Sequence, residues 1–303
     1  MPQTSLHVAV SGASGLVGSR LCSGLEAQGH RVSRLVRREP TKGSGEVLFD
    51  ASRNLIGASS LEGVDAVVHL AGEPVAAGRW TAARKRRIRD SRVIGTRLIA
   101  ETLAGLDTSP SVLVNASAIG FYGDRGDEIL DETSEPGEGF LPETCVAWEA
   151  ATAPAEAAGV RVVRFRIGIV LSAEGGALAK MLPIFRAGLG GKTGDGGQWM
   201  SWISIDDLVE MLVYAVSTES LSGSVNAVGL EPVRNSEFTR TLAGVLHRPA
   251  FVAVPEFAVR TLFGEMGQEL LLSSTRVLPR RLKQAGFEFR HPTLQMALRA
   301  VLG

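Results

Sequence analysis

Val8-Ala9-Val10-Ser11-Gly12-Ala13-Ser14-Gly15-Leu16-Val17-Gly18 is the stretch that decides the fold. An apolar run of strand length ends in three glycines, and residues 19–28 behind them carry a helical pattern. A glycine-rich turn between a strand and a helix lets backbone N–H groups approach a pyrophosphate at the positive end of the helix dipole. The spacing is G-x-x-G-x-x-G, a variant of the general dinucleotide fingerprint G-x-G-x-x-G. Gly12, Ser14, Gly15, Leu16, Val17 and Gly18 are therefore the expected phosphate cradle.

Outward from the cradle, strand-length apolar runs at residues 6–10, 31–36, 46–49, 66–70, 112–116 and 160–165 alternate with helical patterns at 19–28, 92–103 and 143–158. Continuous apolar strands separated by helices predict a parallel sheet covered on both faces, a doubly wound Rossmann-type α/β fold with its cleft at the strands' carboxyl ends. Beyond residue 169 the texture changes. Gly188, Gly190, Gly191, Gly194, Gly196 and Gly197 punctuate a loop, a helix is expected at 209–217 and a short strand at 225–228. The predicted division is a dinucleotide-binding domain over 1–168, re-entered around 203–228, and a smaller mixed α/β lobe over 169–303.

The 303 residues balance 32 Lys and Arg against 32 Asp and Glu, which gives no electrostatic case for nucleic acid or an anionic membrane. The basic run Arg84-Lys85-Arg86-Arg87-Ile88-Arg89 lacks interleaved aromatics and reads as a solvated helix face. Two cysteines make no disulfide framework, the opening residues read directly into a strand so no leader is expected, and no apolar run reaches the ~18 residues of a membrane span. A cytoplasmic location is expected. The five histidines show no metal-ligand spacing, so no metal is expected.

The second strand selects the dinucleotide. An NAD-selective site ends this strand with a carboxylate for the ribose 2′-OH, whereas here it ends Leu35-Val36-Arg37-Arg38. Guanidinium groups pair bidentately with a 2′-phosphate, so NADP(H) is the expected cofactor, with Arg37 the first contact and Arg38 a second. Asp50 stands where the adenine amino group is met, and Leu70-Ala71-Gly72 is a strand tip small enough to pass the cofactor.

Gly12-x-x-Gly15-x-x-Gly18, Asp50, Leu70-Ala71-Gly72 and Ser117 before Tyr122-Gly123 together resemble the extended short-chain dehydrogenase/reductases, which include nucleotide-sugar epimerases and dehydratases. More closely, the chain resembles their YfcH-type NAD(P)-dependent epimerase branch through Arg79-Trp80-Thr81, Asp90-Ser91-Arg92, Gly120-Phe121-Tyr122-Gly123-Asp124, Trp148-Glu149, Gly175-Gly176-Ala177-Leu178 and Gln198-Trp199-Met200-Ser201-Trp202. Leu271-Leu272-Ser273-Ser274 and Val277-Leu278-Pro279 resemble the small uncharacterised domain that ends that branch.

That resemblance implies a Tyr-x-x-x-Lys on the helix after the fifth strand, and this chain lacks it: Cys145 stands for Tyr and Glu149 for Lys. A spacing of four keeps both on one helical face. Three readings stand open: Cys145 and Glu149 form an unusual acid–base pair, Glu149 only positions the cofactor, or redox chemistry is lost and ligand binding kept. The resemblance also implies a hydroxyl that polarises substrate, at Ser117 or one position on at Ala118, and leaves Tyr122 as a proton-transfer group reaching in from the strand-end loop.

In the second lobe, Trp199 and Trp202 are expected to stack on a flat ring of a small polar or nucleotide-linked substrate and Gln198 to hydrogen-bond to it, while Arg166, just after the sixth strand, is expected to meet an anionic group. The expected function is an NADP(H)-dependent oxidoreductase or epimerase; the alternative is a non-catalytic NADP(H)-responsive binding protein.

Overall fold

The structure is a computed structural model and describes residues 5–303. Eight strands form one sheet: β1 (His7–Ser11), β2 (Arg31–Val36), β3 (Glu46–Asp50), β4 (Leu55–Ile56), β5 (Ala66–His69), β6 (Val112–Ala118), β7 (Arg161–Ile167) and β8 (Gly223–Ala227). Their spatial order is β8-β7-β6-β5-β1-β2-β3-β4. All neighbours are parallel except the β3–β4 pair at one edge. The order turns back at β1 and β5, which places the topological switch point, and hence the cleft, at the end of the glycine-bearing strand.

Alternation along the strands feeds two cores. Val8 and Val10 of β1, Val68 of β5 and Val112 and Val114 of β6 face one side, packing with Leu21 and Leu25 of α1 (Leu16–Ala27) and Met211 and Leu212 of a helix at Ile205–Ser217. Ala9, Val67 and Leu113 face the other, against Leu98, Ile99 and Leu103 of α2 (Ala82–Ala104).

Helix α2 begins ten residues before the apolar periodicity that foretold it. Thr81 caps it by accepting from the Arg84 N–H at 3.2 Å, and the first turns carry the basic run. Cations near a helix N-terminus oppose its dipole. Ion pairs from Arg84 to Glu73 and Lys85 to Glu265, both at 2.8 Å, offset that here. The expected helix at 143–158 is two helices, α3 (Phe140–Ala150) and α4 (Ala153–Ala157), with Pro154 in the first turn of the second. Pro154 has no N–H to donate to the Ala150 carbonyl and its ring crowds that oxygen, which interrupts the ladder between the two.

The smaller lobe has its own core of Leu178, Leu182 and Phe185 from α5 (Gly176–Arg186), Trp202, Phe238 and Leu242 from α6 (Asn235–Leu246), and Leu294 and Leu298 from the last helix. Between this lobe's segments the chain returns to the large sheet, where β8 lies against β7 along five residue pairs. Among the described residues no helix is long and apolar enough to cross a membrane.

Candidate active site

The glycine turn is built by close contact. Gly12 adopts φ +68°, and a Cβ on it would lie 2.9 Å from the Ala71 nitrogen, so the tips of β1 and β5 touch there. A Cβ on Gly18 would lie 2.2 Å from the Gly12 carbonyl oxygen, so only glycine lets α1 seat against the turn. Gly15 closes the turn by donating to Gly12 at 2.9 Å. Helix α1 has no side-chain cap and no acidic residue in its first turn. The amides of Leu16, Val17 and Gly18 have no acceptor among the described residues, and Ser14 is exposed beside them. Unsatisfied N–H groups at an uncapped helix start are an anion cradle.

The two arginines behave differently. Arg37 is exposed and makes no hydrogen bond or ion pair among the described residues. Arg38 is occupied: it pairs with Glu46 and donates to the Glu39 carbonyl and Thr41 hydroxyl. Asp50 caps a short turn, accepting from the Ser52 amide at 3.0 Å and hydroxyl at 2.6 Å, bonds that hold its carboxyl below the usual range.

Ser11 and His69 brace the neighbouring tip. The Ser11 hydroxyl accepts from the amides of Leu70 and Ala71, so its own proton goes to His69 Nδ1 at 2.5 Å. This assigns the imidazole proton to Nε2, which has no partner. Burial, aided by the Arg92 charge, pushes the His69 pKa down to about 3. Arg92 itself is a site residue that sequence spacing missed. Its guanidinium lies against Gly72 and stacks on Trp148 at 5.0 Å, and a Cβ at Gly72 would come within 3.3 Å of it. The only sequence signal was its place in Asp90-Ser91-Arg92.

The four expected catalytic residues converge, but on one another rather than on an open cavity. Glu149 is buried and accepts four hydrogen bonds: from Ser117 Oγ at 2.7 Å, Arg166 Nε at 2.8 Å, Arg166 Nη2 at 2.9 Å and Ser224 Oγ at 3.0 Å. Burial opposes the Arg166 charge, yet the bonds to Glu149 and Tyr122 outweigh it and raise its pKa. Arg166 stacks on Phe121 and donates to the Tyr122 hydroxyl at 3.0 Å. That hydroxyl also lies 2.9 Å from the Asp131 carbonyl and 2.7 Å from Asn226 Oδ1. One phenolic proton serves two acceptors, and burial pushes the Tyr122 pKa up to about 12. Cys145 is buried, its thiol 3.8 Å from the Ala118 carbonyl oxygen, and burial with the Glu149 charge pushes it up to about 12. Tyr122 and Cys145 are thus poor proton donors in this state, and Arg166 is committed to Glu149 rather than available to a substrate anion.

The face of α3 explains this placement. Leu141, Cys145 and Glu149 share it at intervals of four. Leu141 lines a cavity of about 210 Å³, while Cys145 and Glu149 are buried and do not line it. Gly120, Gly123 and Asp124 of the loop after β6 line the same cavity, as do Gln268 and Glu269 from a single π-turn at Gln268–Leu272. π-Turns recur at functional sites. Gln268 Oε1 has no partner. Glu269 accepts the Leu141 amide at 3.1 Å, and burial outweighs that bond and raises its carboxyl pKa. No pattern in the sequence marked either residue.

The expected substrate residues are largely engaged within the protein. Trp202 is buried in the smaller lobe's core and donates to the Glu231 carbonyl. Gln198 donates to the carbonyls of Thr193 and Leu271. The Trp199 ring carries the guanidinium groups of Arg234 and Arg276, each 4.2 Å from its centroid, and its N–H binds Asp127. None of the three lines the cavity beside Leu141. Among the described residues no group of three or more His, Cys, Asp or Glu side chains is arranged to hold a metal ion.

Residues 8–229 match the NAD dependent epimerase/dehydratase family, and residues 254–301 match a domain of unknown function, DUF1731. The epimerase family protein MT2273 of Mycobacterium tuberculosis is 44% identical over 291 residues, 96% of either chain. A crystal structure of the human epimerase family protein SDR39U1 (isoform 2) with NADPH superposes with a TM-score of 0.90 at 32% identity, covering 98% of this chain and 99% of that one. The nucleoside-diphosphate sugar epimerase of Corynebacterium glutamicum superposes with a TM-score of 0.81 at 39% identity, over 99% of this chain and 59% of that one.

Proposed function

This chain belongs to the NAD dependent epimerase/dehydratase family, and within it we propose an NADP(H)-dependent oxidoreductase or epimerase acting on a small polar substrate. The observation that carries the reading is the turn in which Gly18 admits no Cβ, beside a strand end whose Arg37 is unpaired. Gly12, Ser14, Gly15, Leu16, Val17 and Gly18 would hold the pyrophosphate, Arg37 the 2′-phosphate, and Leu70-Ala71-Gly72 the path toward the cavity. The human relative with NADPH supports the same cofactor. When bound, the dinucleotide supplies a hydride donor or acceptor at its nicotinamide ring.

Proton transfer is assigned to Glu269. It borders the cavity beside the free Gln268 Oε1, and burial raises its carboxyl pKa, which favours a group that can hold and release a proton there. The free Gln268 Oε1 would accept from a substrate hydroxyl or amide. Ser117 acts by positioning Glu149 and thereby the end of β6. With Asp124, Glu138 and Glu269 around the cavity and no Lys or Arg lining it, a neutral hydroxylated or amine-bearing substrate is favoured over an anionic one.

A second reading rests on Leu141. The cavity-facing turn of α3 offers an apolar side chain without a proton, which favours a dinucleotide-responsive binding protein. Fluorescence titration with NADPH and NADH, followed by deuteride transfer from labelled NADPH to a panel of carbonyl compounds, separates the two. Transfer abolished by Glu269→Gln, with NADPH binding kept, supports the enzyme and its acid. Tight binding without transfer to any compound supports the binding protein, and failure to bind NADPH overturns both.

A further inference from the structure

A second cavity, about 420 Å³, lies in the smaller lobe and shares no lining residue with the dinucleotide cleft or the cavity beside Leu141. One wall is α6, whose Thr239, Arg240 and Ala243 fall on one face by their spacing of three and four. The other is the extended segment with Ala250 and Phe251, and Lys192 completes the lining. That segment is fixed by backbone bonds from Val252 to Gly190 at 3.1 Å, Val254 to Lys192 at 2.8 Å and Gly194 to Val254 at 2.9 Å. Gly191 permits the approach, because a Cβ there would lie 2.1 Å from the Val252 carbonyl oxygen. The walls are rigid, and alanines leave the space between them open.

Three features of the lining go unused by the protein. Thr239 is 4% exposed, yet its hydroxyl has no hydrogen-bond partner. A buried polar group left unpaired is destabilising, and a bound acceptor relieves that cost. Arg240 makes no hydrogen bond or ion pair among the described residues, and Lys192 Nζ donates only to the Asp195 carbonyl. No carboxylate lines the cavity, and Phe251 stands 80% exposed beside it. Two available cations, an unpaired hydroxyl and an apolar wall are complementary to an anion carried on an apolar body.

We propose that this cavity binds a small amphipathic anion, a carboxylate, sulfonate or phosphate monoester on an aromatic or aliphatic frame. Lys192 and Arg240 supply the charge, Thr239 a hydrogen bond, and Ala243, Ala250 and Phe251 the apolar contact.

The probe is 8-anilinonaphthalene-1-sulfonate, titrated calorimetrically into the full chain with NADP⁺ present in excess. Its uncharged counterpart N-phenyl-1-naphthylamine serves as comparison. The expected result is one saturable site whose affinity does not change when NADP⁺ is omitted. The naphthylamine binds at least tenfold more weakly, Arg240→Glu weakens the sulfonate at least tenfold, and Ala243→Leu, which fills the cavity, removes binding. Thr239→Val weakens binding several-fold without lowering the melting temperature, because the lost hydroxyl had no partner to lose. Sulfonate binding that survives Ala243→Leu in a folded protein places the probe on other apolar surface, such as exposed Phe257 and Leu262, and overturns the site. Equal affinity for the two probes overturns its anion preference, and absence of saturation below millimolar probe overturns the proposal as a whole.

Discussion

Arg166 and Glu149 face each other through two hydrogen bonds of 2.8 and 2.9 Å in the interior, joining β7 to α3. The fork of the guanidinium matches both carboxylate oxygens, and Ser117 and Ser224 satisfy the acceptor sites that remain. Removing either partner leaves the other charge buried alone. Glu149→Ala and Arg166→Ala are each expected to cost about 3–5 kcal/mol. The double variant costs less than the sum of the singles. Urea denaturation of the four proteins measures this, and additive losses would show that the pair does not hold the network together.

Cofactor binding depends on one absent methyl and one free guanidinium. Gly18→Ala forces a carbon into the Gly12 carbonyl, with an expected stability loss of about 1–3 kcal/mol and no measurable NADPH binding. Arg37→Ala removes a charged contact of about 1.5–3 kcal/mol, or roughly ten- to a hundredfold in NADPH affinity, and leaves NADH unchanged. Arg38→Ala has the smaller effect because Glu46 already holds that side chain. Parallel titrations with both nucleotides provide the readout; a larger loss in the Arg38 variant would reverse the assignment.

Neither thiol is expected to react in the folded protein. Cys22 and Cys145 are buried, and burial raises both pKa values. Ellman's reagent at pH 8 should therefore modify neither on the timescale in which denaturant exposes both. Cys145→Ala should keep NADPH affinity within about threefold, since the thiol lies below the cavity rather than on it. Rapid modification of Cys145 in the native state would restore it as a nucleophile.

Acid should destabilise the protein partly through His69. Its folded pKa, about 3, lies below the unfolded value of 6.5, so the unfolded chain binds the extra proton. The contribution of this group is intact above pH 6.5 and is lost as pH falls toward 3, by about 1.4 kcal/mol per unit. His69→Gln retains an acceptor for Ser11 but cannot titrate. Its stability should fall less steeply between pH 6 and pH 4, as urea midpoints will show. Parallel pH curves would exclude the imidazole as the cause.

The large sheet and its glycine turn were legible because their signals are local: strands as short, mostly apolar runs rich in Val, and a turn whose glycines lie within seven residues. Contacts between distant residues were not. Glu149 and Arg166 lie seventeen positions apart on different elements, and nothing in either local pattern couples a helix carboxylate to a strand arginine. Trp199 and Trp202 read alike as aromatic residues beside glycines, yet only Trp202 is enclosed in the smaller lobe's core. Spacing located Cys145 and Glu149 on a common helical face but not that this face meets the cavity one turn earlier, at Leu141. Glu269 comes from a π-turn far along the chain, where no periodicity signals a site.

The return of β8 to the large sheet makes the two lobes inseparable by dissection. Gly223–Ala227 covers the edge of β7, and its Ser224 and Asn226 supply partners to Glu149 and Tyr122. A fragment ending at residue 168 would keep every glycine of the cradle but expose an open strand edge and strip hydrogen bonds from a buried carboxylate. The smaller lobe is consequently interrupted by a strand that completes the larger one, since its core draws on Leu178 and Leu182 before β8 and on Phe238 and Leu294 after it. Expressing, swapping or transplanting either lobe requires carrying residues 223–227 along with the first.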